Sequence, residues 1–109
     1  MLNIEKRGDI QTVIATYDVT PGSFTDLLNK LQEAYERFLR HQPGFIAAGI
    51  HVNDAHTRIA NYSQWRSRED FQALLRSEEM QEWNRQFSDL SKSFAPIMYE
   101  VMNVYDSPA

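Results

Sequence analysis

The sequence predicts an α+β fold in which four antiparallel strands carry helices on one face. Three observations predict it: strand-length runs of β-branched and aromatic residues, apolar residues at helical three- and four-residue spacings, and turn signals between these segments. The chain has 109 residues, of which 42% are hydrophobic and 24% are charged. This length and composition are typical of one globular domain with one core, which we expect to span residues 1–109.

The first strand and the first helix are predicted from the amino-terminal part of the chain. β-branched and aromatic residues are dense over residues 10–19, and the turn pair Pro21-Gly22 follows. The helix beyond this turn is predicted to end near Gln42, because a proline and a glycine come next and cannot continue it. Its apolar face, which we expect in the core, consists of Phe24, Leu27, Leu28, Leu31, Tyr35, Phe38 and Leu39.

A β-hairpin is predicted in the middle of the chain. Residues 44–52 are apolar and rich in small side chains, and residues 57–66 resume a strand pattern after a polar tip at residues 53–56.

Two helical stretches and one strand are predicted after the hairpin. Ser67, with Asp70 three residues later, resembles a capping box that opens a helix. A second helical stretch has Met80, Trp83, Phe87 and Leu90 on one side, and a final strand covers residues 94–105. The resulting order is β-α-β-β-α-β, the ferredoxin-like arrangement, which by itself decides no function.

Side-chain alternation in the hairpin predicts what lies on the sheet face that the helices leave open. Two sets of side chains share that face if each pair of opposite residues in the hairpin has numbers that sum to an even value. A slip of one residue in the register would place the two sets on opposite faces. The two sets are Phe45, Ala47, Gly49 and His51 in one strand and Ile59, Asn61, Ser63 and Trp65 in the other.

The mixture of large apolar, small and polar side chains on this predicted face is typical of a cavity wall. An open apolar face of a sheet is a liability, and the simplest cover for it is a second copy of the same chain. We therefore expect a homodimer.

Composition argues against several classes of function. The formal net charge is −4, from 11 basic and 15 acidic residues, and the basic residues are scattered, so a nucleic-acid partner is not expected. The sequence has no cysteine, which excludes thiolate chemistry and suits a cytoplasmic location. The three histidines lack metal-ligand spacing, so no metal is expected. No apolar run approaches the ~18 residues of a membrane span, and no signal segment is visible, so no membrane partner is expected.

Three short motifs occur close together in the central part of the chain. They are P-G-F at residues 43–45, N-Y-S-Q-W at residues 61–65 and S-R-E-D-F at residues 67–71. Together with the strand order, they resemble the antibiotic biosynthesis monooxygenase family. This resemblance implies a dimeric α+β barrel that binds an aromatic substrate between the sheet and its helices. It also implies oxidation of an anthrone- or hydroquinone-type phenolic substrate to a quinone with O2, without a metal, haem or flavin cofactor.

The resemblance also implies roles for individual side chains. Asn61 and Trp65 would orient the substrate and stabilise an oxyanion or peroxide, and His51 would remove the phenolic proton. Arg85 would clamp a substrate oxyanion. Phe71 stands where some anthrone-oxidising members have a tyrosine, so a mechanism that needs a tyrosine acid is weakened. The other residues assigned to substrate binding are Phe45, Gly49 and Ser63.

Each of these assignments has a structural alternative. Trp65 alone is explained by core packing, although its pairing with Asn61 favours a functional role. His51 is equally explained as a hydrogen-bonded structural histidine, and Arg85 is better explained as a solvated helix residue.

Three other functions remain as alternatives. A noncatalytic dimeric barrel that binds a small hydrophobic ligand would need the same cavity. Haem degradation is disfavoured, because residues 71–90 contain no histidine and the first strand contains no asparagine. An RNA-recognition domain is disfavoured because the third strand lacks the required basic and aromatic pattern.

Overall fold

A computed structural model describes residues 2–4 and 9–108 of the chain. The strands are β1 (Gln11–Asp18), β2 (Phe45–Val52), β3 (Arg58–Trp65) and β4 (Ser93–Tyr99). The helices are α1 (Pro21–Arg37), α2 (Arg68–Arg76) and α3 (Glu78–Asp89), and a short 3-10 helix at Leu39–His41 follows α1. This order confirms the predicted α+β, ferredoxin-like fold. No helix in the described ranges is long and apolar enough to cross a membrane.

The four strands form one antiparallel sheet in the order β2-β3-β1-β4. The helices cover one face of this sheet, and the hydrophobic core lies between the two layers. β1 and α1 supply much of this core, and α2 and α3 complete it with Phe71, Leu74, Met80 and Phe87. In the described part of the chain, no helix covers the other face of the sheet, which is called the open face below.

The helix boundaries follow the local signals in the sequence. Thr20 is the N-cap of α1, and its hydroxyl accepts a hydrogen bond from the Ser23 backbone N–H at 3.3 Å. Ser67 caps α2 as predicted, and its hydroxyl accepts from the Asp70 N–H at 3.1 Å. The helical chain after α1 ends at His41, next to the predicted boundary.

A β-bulge in β2 changes which hairpin side chains share a face. Phe45 pairs with Trp65, but the register shifts between Phe45 and Ala47, and farther along the strand Gly49 pairs with Tyr62. An extra residue in one strand reverses the alternation of every side chain that follows it. The predicted even register therefore holds only at Phe45 and is wrong from Ala47 onward.

The bulge separates the residues that were predicted to form one wall. Asn61, Ser63 and Trp65 are buried on the face that the helices cover, where they contact side chains of α1 and α2 or one another. Gly49 and His51 belong to the open face, opposite Tyr62 and Ala60 of β3. The prediction that these five predicted wall residues line one open-face cavity is therefore wrong.

The last strand is shorter than predicted. β4 ends at Tyr99, and residues 100–108 have no regular secondary structure. β4 is an edge strand that pairs only with β1, and its last pair joins Thr12 to Tyr99. Because β1 begins at Gln11, no strand within residues 2–4 and 9–108 lies beside the residues after Tyr99 to continue the ladder.

Candidate active site

A small internal cavity lies between the sheet and the helices. Its volume is about 40 Å³, which is much smaller than the roughly 300–1,000 Å³ typical of ligand pockets. Most of its lining is apolar and comes from β1, β4, α2 and α3. The polar groups that line it belong to Tyr17, Tyr35, Asn61, Ser63, Trp65 and Asn84. Among the described residues, no acidic, basic or histidine side chain lines the cavity.

Asn61 occupies the centre of the polar lining. It lies in β3, next to the central strand β1, and its side chain is only 6% exposed. The Tyr35 hydroxyl, which reaches down from α1, donates a hydrogen bond to Asn61 Oδ1 at 2.9 Å. The carboxamide therefore joins a helix to the sheet within the cavity wall.

Two tyrosines beside Asn61 remain protonated far above neutral pH. Burial raises the pKa of Tyr35 to about 12. Burial raises the pKa of Tyr17 even further, and the nearby Tyr35 adds to that shift while Asn61 opposes it. Both phenols are therefore neutral hydrogen-bonding groups at physiological pH and are poor bases.

Trp65 is held rigidly at the end of the cavity. The side chain is 1% exposed, and its Nε1–H donates to Ser63 Oγ at 3.1 Å. The rings of Phe45 and Phe71 pack against the indole with centroid distances of 5.3 Å and 5.5 Å. Ser63 thus occupies the only N–H donor of the indole, which leaves the aromatic surface as the part that Trp65 offers to a ligand.

Three of the predicted site residues lie away from this cavity. His51 is exposed on the open face, on the other side of the sheet from Asn61. Arg85 is exposed on α3 and forms ion pairs with Glu82 and Asp89 on the same helix. Within one chain, neither side chain joins Asn61 and Trp65. Gly49 shares the open face with His51.

Three polar residues of the cavity were not predicted as site residues. The sequence pattern places Tyr17 in a strand and Tyr35 on the apolar face of a helix, but neither pattern shows where a hydroxyl points. Asn84 could have been predicted, since it lies four residues after Met80 and three before Phe87, and this spacing places it on the same helical face. The predicted residue, Arg85, is the next residue in the chain and is exposed.

Comparison with known proteins identifies the family. Residues 10–86 match the model of the family described as antibiotic biosynthesis monooxygenase. The chain belongs to this family. The resemblance predicted from the three sequence motifs is thus confirmed, and all three motifs lie inside the matched segment.

One curated monooxygenase is similar to this chain in sequence. The chain is 34% identical over 74 residues to the tetracenomycin-F1 monooxygenase of Streptomyces glaucescens, a match that spans 68% of this chain and 66% of that protein.

Solved structures of monooxygenases share the fold. The ActVA-Orf6 monooxygenase of Streptomyces coelicolor, in complex with nanaomycin D, has a TM-score of 0.78 and 19% identity, with 89% of this chain and 91% of that chain covered. SnoaB, a cofactor-independent oxygenase from Streptomyces nogalater, has a TM-score of 0.71 and 16% identity, and the match covers 92% of this chain and 100% of that chain.

Proposed function

We propose that this member of the antibiotic biosynthesis monooxygenase family oxidises a phenolic or polycyclic aromatic substrate, of the anthrone or hydroquinone type, to a quinone with O2 and without a cofactor. The observation that carries the proposal is the buried Asn61 amide beside the Trp65 ring in an uncharged cavity. The names of two relatives support it, since one is a tetracenomycin-F1 monooxygenase and the other a cofactor-independent oxygenase.

The chemistry needs no external reductant. An anthrone first loses a proton to solvent, because no described side chain that lines the cavity is a base. Its anion transfers an electron to O2, the substrate radical and superoxide combine to a carbon-bound peroxide that takes up a proton, and loss of water leaves the new carbonyl. One oxygen atom of O2 enters the quinone and the other leaves as water. The protein has to desolvate and orient the substrate anion and stabilise its charge. The Asn61 amide supplies the hydrogen bond to the oxyanion, and the Trp65 ring supplies a flat wall.

Substrate binding requires the cavity to widen, because about 40 Å³ cannot hold an aromatic ring system. A surface groove of about 380 Å³ lies nearby between α1 and β2, and Tyr35 lines both spaces. Phe45 lines the groove and also contacts the cavity residue Trp65 at a centroid distance of 5.3 Å. We infer that movement of the half-buried Phe45 ring joins the groove to the cavity when substrate binds.

The direct test is incubation of the metal-free protein with an anthrone and with a simple hydroquinone, while O2 uptake and quinone absorbance are followed. We expect oxidation faster than the spontaneous reaction and unaffected by a chelator. Asn61→Ala should lower the rate about 100-fold, which is the usual effect of removing one oxyanion donor, and Trp65→Phe should lower it less.

The matched control is Asn29→Ala, which removes an exposed amide from α1 and should leave the rate unchanged. Absence of acceleration with every substrate tested would contradict the monooxygenase proposal. Loss of activity with the chelator would contradict the cofactor-free mechanism.

The uncharged lining of the cavity also favours a second candidate, a protein that binds a small hydrophobic ligand without reaction. Catalysis predicts that Asn61→Ala retains ligand binding and loses turnover. The binding alternative predicts no turnover in any variant. It also predicts that the affinity for the ligand depends on the apolar residues that line the cavity.

We also infer that two copies of the chain associate through their open faces. Ile97 and Tyr99 of β4 are 47% and 46% exposed on this face, next to Ile14 of β1 and Tyr62 of β3. The tail at residues 100–108 adds further exposed apolar side chains. An apolar sheet face of this kind is matched best by an identical surface related by twofold symmetry.

A further inference from the structure

The Tyr35–Asn61 hydrogen bond determines which end of the Asn61 amide is available to a ligand. A carboxamide has an accepting oxygen at one end and two N–H donors at the other. Tyr35 donates to Oδ1 at 2.9 Å, so the oxygen end of the amide already has a partner on α1. The buried Tyr17 hydroxyl also interacts with the Asn61 side chain. Both residues line the cavity, so a ligand oxyanion would approach the NH2 end of the amide beside Tyr17.

We propose that Tyr35 is a positioning residue that holds the Asn61 amide with its oxygen toward α1 and its NH2 group toward the substrate. This inference rests on the proposed function, in which the NH2 group donates to a substrate oxyanion. Without the Tyr35 hydroxyl, the amide is free to turn by 180° and to present its oxygen to that oxyanion, which would repel it.

Two properties of the pair support this role. The pKa of Tyr35 is raised to about 12 by burial, so the hydroxyl remains a donor at any pH at which the enzyme would work. A hydrogen bond accepted by an amide oxygen also polarises the amide, and this strengthens the N–H donors at its other end. Tyr35 therefore aligns the donor and strengthens it.

The test combines kinetics with a spectroscopic probe, 1,8-dihydroxyanthraquinone, whose phenol changes its absorbance when it ionises. Tyr35→Phe should lower kcat for quinone formation about tenfold, the effect of one lost hydrogen bond, with little change in KM. It should also raise the pKa of the bound probe by about one unit, because the phenolate loses an aligned donor. The control Thr25→Ala removes an exposed hydroxyl from α1, the helix that carries Tyr35, and should match wild type.

A double-mutant cycle separates positioning from packing. In the Asn61→Ala background, Tyr35→Phe should have no further effect on kcat or on the pKa of the bound probe, because the group that it positions is gone. An undiminished effect in that background, or a Tyr35→Phe variant equal to wild type, would overturn the positioning role. If Asn61→Ala itself leaves both measurements unchanged, the proposed function fails and the inference fails with it.

A measurement on the wild-type protein covers the case in which Tyr35→Phe does not fold. The side-chain NH2 resonances of Asn61 can be assigned in a 15N-labelled sample by their absence from Asn61→Ala. Addition of the ionised probe should shift these resonances, since the NH2 group is the end of the amide that faces the ligand. Unshifted resonances at saturating probe would overturn the proposal.

Discussion

At the scale of single residues, polar side chains that line the cavity form hydrogen-bonded pairs. Tyr35 donates to Asn61, and Trp65 donates to Ser63. Burying a polar group is unfavourable unless it is hydrogen-bonded, so each pair allows a polar atom to stand in an otherwise apolar space. Neutral pairs also keep the cavity free of fixed charge, so a bound anion would be the dominant charge in it.

The Trp65–Ser63 pair leads to a prediction about stability. Ser63→Ala removes the acceptor of the buried indole N–H, and we expect the free energy of unfolding to fall by about 1–3 kcal/mol. Urea denaturation followed by tryptophan fluorescence measures this change. Ser88→Ala, at an exposed position of α3, is the control and should be neutral. Equal stability of Ser63→Ala and wild type would show that the pair makes no net contribution.

The buried tyrosines predict a loss of stability in alkaline solution. The pKa of Tyr35 rises from 10.0 to about 12 on folding, and that of Tyr17 rises further. The folded chain therefore binds more protons than the unfolded chain above about pH 10, and its stability must fall as the pH rises through that window. Each tyrosine contributes at most about 1.4 kcal/mol per pH unit.

Urea unfolding between about pH 8 and pH 12 measures this dependence, with phenolate absorbance recorded in parallel. We expect a flat profile below about pH 9 and a steep fall from about pH 10 upward. Tyr35→Phe should reduce the slope between about pH 10 and pH 12, whereas Tyr105→Phe, which changes an 87% exposed tyrosine, should not. A slope that is the same in all three proteins would assign the alkaline transition to other groups.

At the scale of secondary structure elements, Gly44 explains why two of the sequence motifs occur together. It lies in the turn before β2 with φ at +83°, a conformation that favours glycine, and a Cβ there would come within 2.6 Å of Asp70 Cβ in α2. The P-G-F motif is thus packed directly against the S-R-E-D-F motif. The same turn leads into the bulge that begins at Phe45.

Gly44→Ala should destabilise the protein by at least about 2 kcal/mol, because the left-handed backbone and the contact with Asp70 both oppose a side chain. Thermal unfolding measures the change. Gly22→Ala is a matched control in the first turn of α1, where the nearest atom to an added Cβ is Thr20 Oγ1 at 3.8 Å, and it should be neutral or stabilising. The prediction fails if both glycine variants unfold at the wild-type temperature.

Most of the element boundaries could be predicted, whereas the hairpin register could not. The extents of β1, β2 and β3 agree with the predicted strands to within about one residue at each end, because propensity, turns and caps are local properties. The bulge between Phe45 and Ala47 depends on how β2 pairs with β3, and strict alternation assumes that no bulge exists. This one irregularity moved His51 and Gly49 to the face opposite Asn61.

At the scale of the whole molecule, the two faces of the sheet differ in structure and exposure. The helix-covered face holds the cavity, and the open face has exposed Ile97 and Tyr99. The segment at residues 2–4 lies along part of the open face, where the Gln64 side chain donates to the Asn3 carbonyl and Leu2 approaches Gly49. The apolar part that remains uncovered is centred on β4 and β1.

Association through this surface predicts a particle of twice 12.7 kDa in light scattering at micromolar concentration. Ile97→Arg should shift the particle toward the monomer, because a charge buried in an apolar interface is unfavourable. Ala73→Arg adds the same charge to an exposed site on α2 and should leave the dimer intact. A wild-type protein that remains monomeric would exclude the dimer under these conditions.

The amino-acid sequence by itself determined the order of the elements, because the signals for helices, strands and turns are local, and its three motifs indicated the family. Only the tertiary structure decided that Asn61 and Trp65 lie beneath the helices, that Tyr35 and Asn84 join them, and that His51 and Arg85 do not. It also decided where β4 ends. The physical reason is that strand register and the packing of helices on a sheet depend on residues far apart in the chain, and a single bulge reverses the face to which a side chain belongs.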